Sequence, residues 1–271
     1  MRPLLQVRLS AEYPGRPGVL RDVIFEMAQG EILGLMGESG SGKSTLALAL
    51  LRLLEYKGGT ACGQVIFANR DLQLLNAREM RRIRGKEIAL VLQSAVASLN
   101  PALRIGTQLA EAWRAHHGGS ALEWKRRALE IFERVSLPAD ENFLSRYPRQ
   151  LSVGQAQRVL IGMAVLHGPR LLIADEPTSA LDALTQSEVL DLLRQLNRDL
   201  KMAVLFISHD LLSIASLCGR VAILEKGEIV ESGPTTRVFR NPSHPYTRAL
   251  LREVLRAVPD IFQIDEAERI A

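Results

Sequence analysis

The segment Gly37-Glu38-Ser39-Gly40-Ser41-Gly42-Lys43-Ser44 sets a G-x-x-x-x-G-K-S motif between an apolar run, Glu31 to Met36, and a helical pattern, Ser44 to Leu54. A strand that passes into a helix through a glycine-rich loop turns its backbone amides inward, at the helix end where the peptide dipoles gather positive charge. Such a cradle suits a phosphate chain. Gly37, Ser39, Gly40, Gly42, Lys43, Ser44 and Thr45 are therefore candidate nucleotide-binding residues. Lys43 is expected to reach the β and γ phosphates and Ser44 to supply a magnesium ligand.

A site of this kind needs a carboxylate at the end of a buried strand, and Leu171-Leu172-Ile173-Ala174-Asp175 provides it on the metal side. Glu176, the next residue, is the candidate base for the attacking water. Further apolar runs at Ile88 to Leu92 and Val204 to Ile207 read as buried parallel strands. Helical patterns at Ser120 to Val135, Gly154 to Leu166 and Ala183 to Leu200 complete an α/β layered core. The stretch from about Ser94 to Leu166 carries helices without a convincing strand and reads as an insertion. QVRLS and VLRDVIFEMAQGE look like strands of an N-terminal antiparallel layer, and Lys226-Gly227 like a hairpin turn. These features define a P-loop NTPase and leave kinases, GTPases, helicases and recombinases open.

Bulk properties narrow the partners. A charge of +4 over 271 residues is a small surplus, and the basic run Arg78 to Lys86 reads as a solvated helix face and loop, so no nucleic acid is expected. Two cysteines, Cys62 and Cys218, have no metal or disulfide spacing and read as small buried or half-buried hydrophobes. Arg8 interrupts the N-terminal apolar run, and no apolar stretch is long enough for a span, so a membrane role is expected to be peripheral.

Leu151-Ser152-Val153-Gly154-Gln155 resembles the LSGGQ signature of ABC ATPases. Gln93, Ser179-Ala180-Leu181-Asp182 and Ser208-His209-Asp210 fall in the order of that family's Q-loop, D-loop and switch histidine, and the resemblance runs from about residue 4 to 255. It implies a RecA-like core (1–93 and 167–235), an inserted helical signature subdomain (94–166), together one ATPase domain over 1–255, and a C-terminal helical tail (236–271). It implies that ATP is the nucleotide, sandwiched between two head-to-tail subunits. Ser152, Gly154 and Gln155 would then bind the γ-phosphate held by the partner, with Asp182 beside them; Gln93 would touch magnesium and water, and His209 would hold Glu176 and the γ-phosphate in register. Tyr13 stands where the family has an aromatic that stacks on adenine. Val153 departs from the pattern, replacing a glycine, and either crowds the phosphate or points aside. His116, His117, His167 and His244 have no such support and read as structural.

Three further passages resemble the dipeptide, oligopeptide and nickel importer branch: Ser98-Leu99-Asn100-Pro101 with Arg104-Ile105-Gly106, the entry from Arg81 to Gln93, and HPYTRALL at His244 to Leu251. The branch implies uptake of peptides or a similar solute through separate permease subunits at the cytoplasmic face of the membrane. It also implies a second ATPase subunit, identical or different, and, indirectly, an extracytoplasmic solute-binding protein. The cysteine-rich extension that carries an iron-sulfur cluster in some members is not expected. The competing expectations are a non-transport ABC ATPase and a regulatory ATP-binding subunit with little turnover.

Overall fold

The computed structural model describes residues 2–118 and 121–257. The chain runs β1 (Leu5–Tyr13), β2 (Arg16–Met27), β3 (Ile32–Met36), α1 (Lys43–Leu50), β4 (Thr60–Phe67), β5 (Arg70–Asp71), α2 (Ala77–Ile83) and β6 (Ile88–Val91). Helices follow without a strand: α3 (Ala95–Ser98), α4 (Ile105–Arg114), α5 (Ala121–Arg134), α6 (Glu141–Leu144) and α7 (Val153–Val165). Strands return with β7 (Leu171–Asp175), α8 (Ala183–Leu200), β8 (Ala203–Ile207), α9 (Leu211–Leu217), β9 (Arg220–Glu225), β10 (Glu228–Pro234), α10 (Thr235–Arg240) and α11 (Pro245–Ala257).

Two sheets result. β2-β1-β4-β5 form the antiparallel layer, and β10-β9-β3-β8-β7-β6 form the main sheet, parallel from β9 to β6 with β10 added antiparallel. The hairpin joining β9 to β10 turns at Lys226 and Gly227, both at positive φ, the geometry that matches strand twist. β8 explains why the central strands of the main sheet are apolar. Val204 and Phe206 face one core with the helices, whereas Ala203, Leu205 and Ile207 face a second core shared with α1 and the antiparallel layer. Because successive side chains alternate, a strand covered on both sides needs an unbroken apolar run. Each large side chain so buried stabilises the fold by about 1.5–3 kcal/mol.

The two cores set the site. β3 and β7 end at the same edge of the sheet, and α1 packs beneath the antiparallel layer through Leu46 and Leu50. α1 stops at Leu50 rather than Leu54, because Arg52 enters the left-handed region. Arg84 caps that end, donating from Nε to the Leu51 carbonyl at 2.7 Å and from Nη2 to the Arg52 carbonyl at 2.8 Å. The basic run thus divides: Arg78, Arg81 and Arg82 are exposed on α2, while Arg84 is spent on this cap.

Cys218 is buried, and burial raises its thiol pKa, but Cys62 is exposed. The alternation of β4 sends Val65 and Phe67 into the core and places Cys62 on the opposite face, which corrects the half-buried reading. Residue 120, the expected start of a helix, and residues 258–271 of the expected tail lie outside the described residues. No helix among the described residues is long and apolar enough to cross a membrane.

Candidate nucleotide site

The phosphate loop forms because glycine is required where it occurs. Gly42 sits at φ 110°, and a Cβ on Gly37 would lie 2.2 Å from the Leu224 carbonyl of β9. Lys43, almost wholly buried at the start of α1, donates from Nζ to the carbonyls of Gly37 at 2.7 Å and Glu38 at 2.8 Å. Its pKa is lowered by burial, opposed by the charges of Glu176, Asp175 and Glu38.

Asp175 ends β7 and is 4% exposed. Burial raises its pKa, and a hydrogen bond from the Ser44 side chain works the other way. Its Oδ1 is buried and has no hydrogen-bond partner among the described residues. A buried carboxylate with one orphaned oxygen beside a serine hydroxyl is a set of hard oxygen donors that fits Mg2+, which would neutralise the charge and fill the open valence.

Glu176 occupies the left-handed region at φ 48° and donates its amide to the Ile207 carbonyl at 2.9 Å. That backbone bond continues the β7–β8 pairing one step beyond Asp175 and turns the Glu176 side chain between two partners. Gln93 donates from Nε2 to its Oε2 at 2.7 Å, and His209 Nδ1 lies 3.0 Å from its Oε1. A non-glycine residue in this region costs about 1–3 kcal/mol, offset by contacts that over-determine it. The His209 loop is itself anchored, since Asp210 caps α9 and accepts from Gln186 of α8 at 2.6 Å.

A cavity of about 630 Å³ brings these groups together. Tyr13, Gly37, Ser39, Gly40, Gly42, Lys43, Ser44, Thr45, Gln93, Glu176 and His209 all line it. Four of the residues assigned from sequence stand elsewhere. Ser152, Gly154, Gln155 and Asp182 line a separate cavity of about 850 Å³ between α7 and α8. There Ser152 caps α7 in a reciprocal box: its hydroxyl accepts the Gln155 amide, and the Gln155 side chain accepts the Ser152 amide, each at 3.2 Å. Asp182 caps α8, accepting from the Thr185 amide at 3.0 Å and hydroxyl at 2.7 Å. Val153 is 46% exposed and lines this cavity beside them, while a Cβ on Gly154 would meet Thr185 Cγ2 at 2.7 Å. A third concavity, over the outer face of the antiparallel sheet, gathers no comparable polar groups around a phosphate cradle.

Two residues of α11 reach the first cavity without having been singled out as site residues. Leu250 lines it, and the Tyr246 hydroxyl accepts the Glu38 amide at 3.0 Å. Nothing in the local sequence of HPYTRALL signals a contact 208 residues away. Of the four remaining histidines, His117 and His167 stack on Trp113, and His116 meets His167 edge-on, away from both cavities. His244 joins a turn described below.

The fold and site define a nucleoside-triphosphatase of the P-loop class. The model of the ABC transporter family matches residues 20–179, and that of the oligopeptide/dipeptide transporter C-terminal region matches residues 230–269. A Brucella abortus protein provisionally named a peptide import ATP-binding protein is 43% identical over 263 residues, 96% of this chain and 78% of its own. The dipeptide transport ATP-binding protein DppD of Haemophilus influenzae is 42% identical over 86% of this chain and 70% of its own. A dimeric ATP-binding cassette solved in a post-hydrolysis state with ADP and Pi superposes with a TM-score of 0.73 at 29% identity, covering 85% of this chain and 98% of that one. The chain belongs to the ABC transporter family and is one of its ATP-hydrolysing cassettes.

Proposed function

We propose that this cassette powers uptake of peptides or a similar small solute through separate permease subunits at the cytoplasmic face of a membrane, with an extracytoplasmic protein delivering the solute. The peptide-import names of its relatives and the match to the oligopeptide/dipeptide C-terminal region support the solute class. The observation that carries the chemistry is Glu176, held between Gln93 and His209 in the cavity that contains Lys43.

In this reading Tyr13 stacks on adenine, the amides from Gly40 to Thr45 surround the phosphates, and Lys43 moves from its carbonyls onto the β and γ oxygens. Glu176 takes the proton of the attacking water, oriented by Gln93 and His209. Ser44, Asp175 and Gln93 would hold Mg2+, which supplies charge neutralisation at the transferring phosphoryl group. Ser152, Gly154, Gln155 and Asp182 serve the ATP of a second cassette, so ATP joins two subunits, identical or different, and hydrolysis parts them. The chain then divides into a core of 1–93 and 167–235, a helical subdomain of 94–166 and a tail of 236–271, the first two forming one ATPase unit.

Replacing Glu176 by Gln keeps its size but removes the base and turns one of its two oxygens into a donor. Steady ATP hydrolysis is expected to fall by about 100-fold or more, and light scattering should find an ATP-dependent dimer. Hydrolysis within a few-fold of wild type would remove Glu176 from the role.

A further inference from the structure

The C-terminal α11 is joined to the phosphate loop by a chain of hydrogen bonds that the ATP-site reading leaves unused. Glu231 on β10 is buried, yet its carboxylate accepts the Ser243 amide at 2.9 Å, the Ser243 hydroxyl at 2.7 Å and the His244 amide at 3.0 Å. Three donors on one buried carboxylate fix the turn that opens α11. The same turn is tightened where the Tyr246 amide donates to His244 Nδ1 at 3.3 Å. Behind it the Tyr246 ring and Leu250 pack against the main core, and Leu251 lies inside it. The Tyr246 hydroxyl is thus carried on a rigid mount.

Its target is one peptide unit. A planar trans peptide directs its N–H and C=O to opposite sides. In the unit linking Gly37 to Glu38, the N–H is held by Tyr246 at 3.0 Å and the C=O by Lys43 Nζ at 2.7 Å. Whatever fixes one side of the plane therefore orients the other. With no hydroxyl at 246, that plane would be held on its carbonyl side alone, and the carbonyl that helps keep the Lys43 ammonium at the mouth of the cradle would be less firmly oriented.

We infer that Tyr246 is a positioning residue for ATP binding, locking the Gly37–Glu38 peptide so that Lys43 is held ready for the triphosphate, and that Glu231 acts through it by fixing the turn. The inference rests on the P-loop cavity being the ATP site. It makes the C-terminal region a part of the nucleotide site of the same chain.

The test is Tyr246→Phe in the full chain, which keeps the ring and its packing. ATP affinity by titration calorimetry and KM for ATP should each weaken about threefold to tenfold, the range for one lost hydrogen bond, while kcat stays within about twofold. A purely structural role would lower the melting temperature and the active fraction, and so kcat, with KM unchanged; that result, or an affinity within twofold of wild type, overturns the inference. Glu231→Gln should shift KM in the same direction. In the double variant a shift no larger than the greater single one supports the relay, and a shift equal to the product of the two overturns it. Lys43→Ala separates the two readings. If it binds ATP like wild type, the ATP-site reading fails; if it loses ATP while Tyr246→Phe does not, only the present inference fails.

Discussion

The two ligand-facing regions of this chain are built on the same device, a helix N-terminus, and finished very differently. At the start of α1 the side chains are tied together: Lys43, Asp175, Glu176, Gln93, His209 and Tyr246 are bonded to one another or to the loop itself. At the start of α7 the cap is self-satisfied. Ser152 and Gln155 bond each other, Asp182 bonds Thr185, and no acid, base or lysine of the phosphate loop lines that cavity. The first region gathers an ammonium, a carboxylate and an imidazole, whereas the second sets the Ser152 cap among Arg158 and the carboxylates of Asp182, Glu188 and Asp191; in the proposed reading it receives the phosphate of a second chain's ATP. That asymmetry is what two-chain catalysis requires, because a complete site within one chain would turn over without a partner.

The comparison breaks most readily at the first region. Lys43→Ala should weaken ATP binding by about 100-fold, since it deletes a buried, charge-assisted contact to phosphate; retained affinity in a calorimetric titration would mean that the α1 cradle is not where ATP is held. A smaller effect is expected at the second region, and of a different kind. Ser152→Ala should leave ATP affinity of the isolated chain within about twofold while hydrolysis falls roughly tenfold, the share of one ordinary hydrogen bond. It should also remove about 1 kcal/mol of helix capping. If affinity and turnover fall together, the two regions do not belong to different ATPs.

The C-terminal turn sharpens the contrast through pH. Burial raises the Glu231 pKa, but the hydrogen bonds from the Ser243 backbone and side chain and the His244 backbone outweigh it and hold the pKa down at about 2, against an ordinary 4.5. Unfolded chain therefore binds a proton that folded chain refuses across that interval. The stability contributed by Glu231 is full above about pH 4.5 and is lost as pH falls toward 2. Melting curves of wild type and Glu231→Gln should converge over this window; a constant separation would mean that the carboxylate is not held ionised by these donors. The least effect is expected from Val153→Gly. Its side chain is already half in solvent, so hydrolysis should stay within about twofold, with about 0.5–1 kcal/mol of helix stability lost.

Much of the main sheet and of the first region was legible in the chain because both obey local rules. The apolar runs of β3, β7 and β8 are continuous because those strands are covered on both faces, and the glycine-lysine-serine spacing follows from how a backbone encloses phosphate. The Lys226-Gly227 hairpin was readable for the same reason. β4 and β5 were missed, since β4 mixes Gly63 and exposed polar positions with its inward Val65 and Phe67 and has no strong alternation until it pairs with β1. The end of α1 was overrun because what stops it, Arg84, comes from 32 to 33 residues further on.

The sequence by itself determined the α/β class, the glycine-rich loop between β3 and α1, the acid pair at the end of β7 and a helix start near Gly154, all of which depend on neighbours within a few residues. Only the tertiary structure decided the geometry by which Gln93 and His209 clasp Glu176, the separate cavity that Ser152 and Asp182 share, and the closing of Tyr246 on Glu38. The contacts among these join groups 33 to 208 residues apart. Such contacts carry no local energetic signature, because the hydrogen bond that fixes them exists only after the sheet has brought its strand ends, and the last helix, to a common edge.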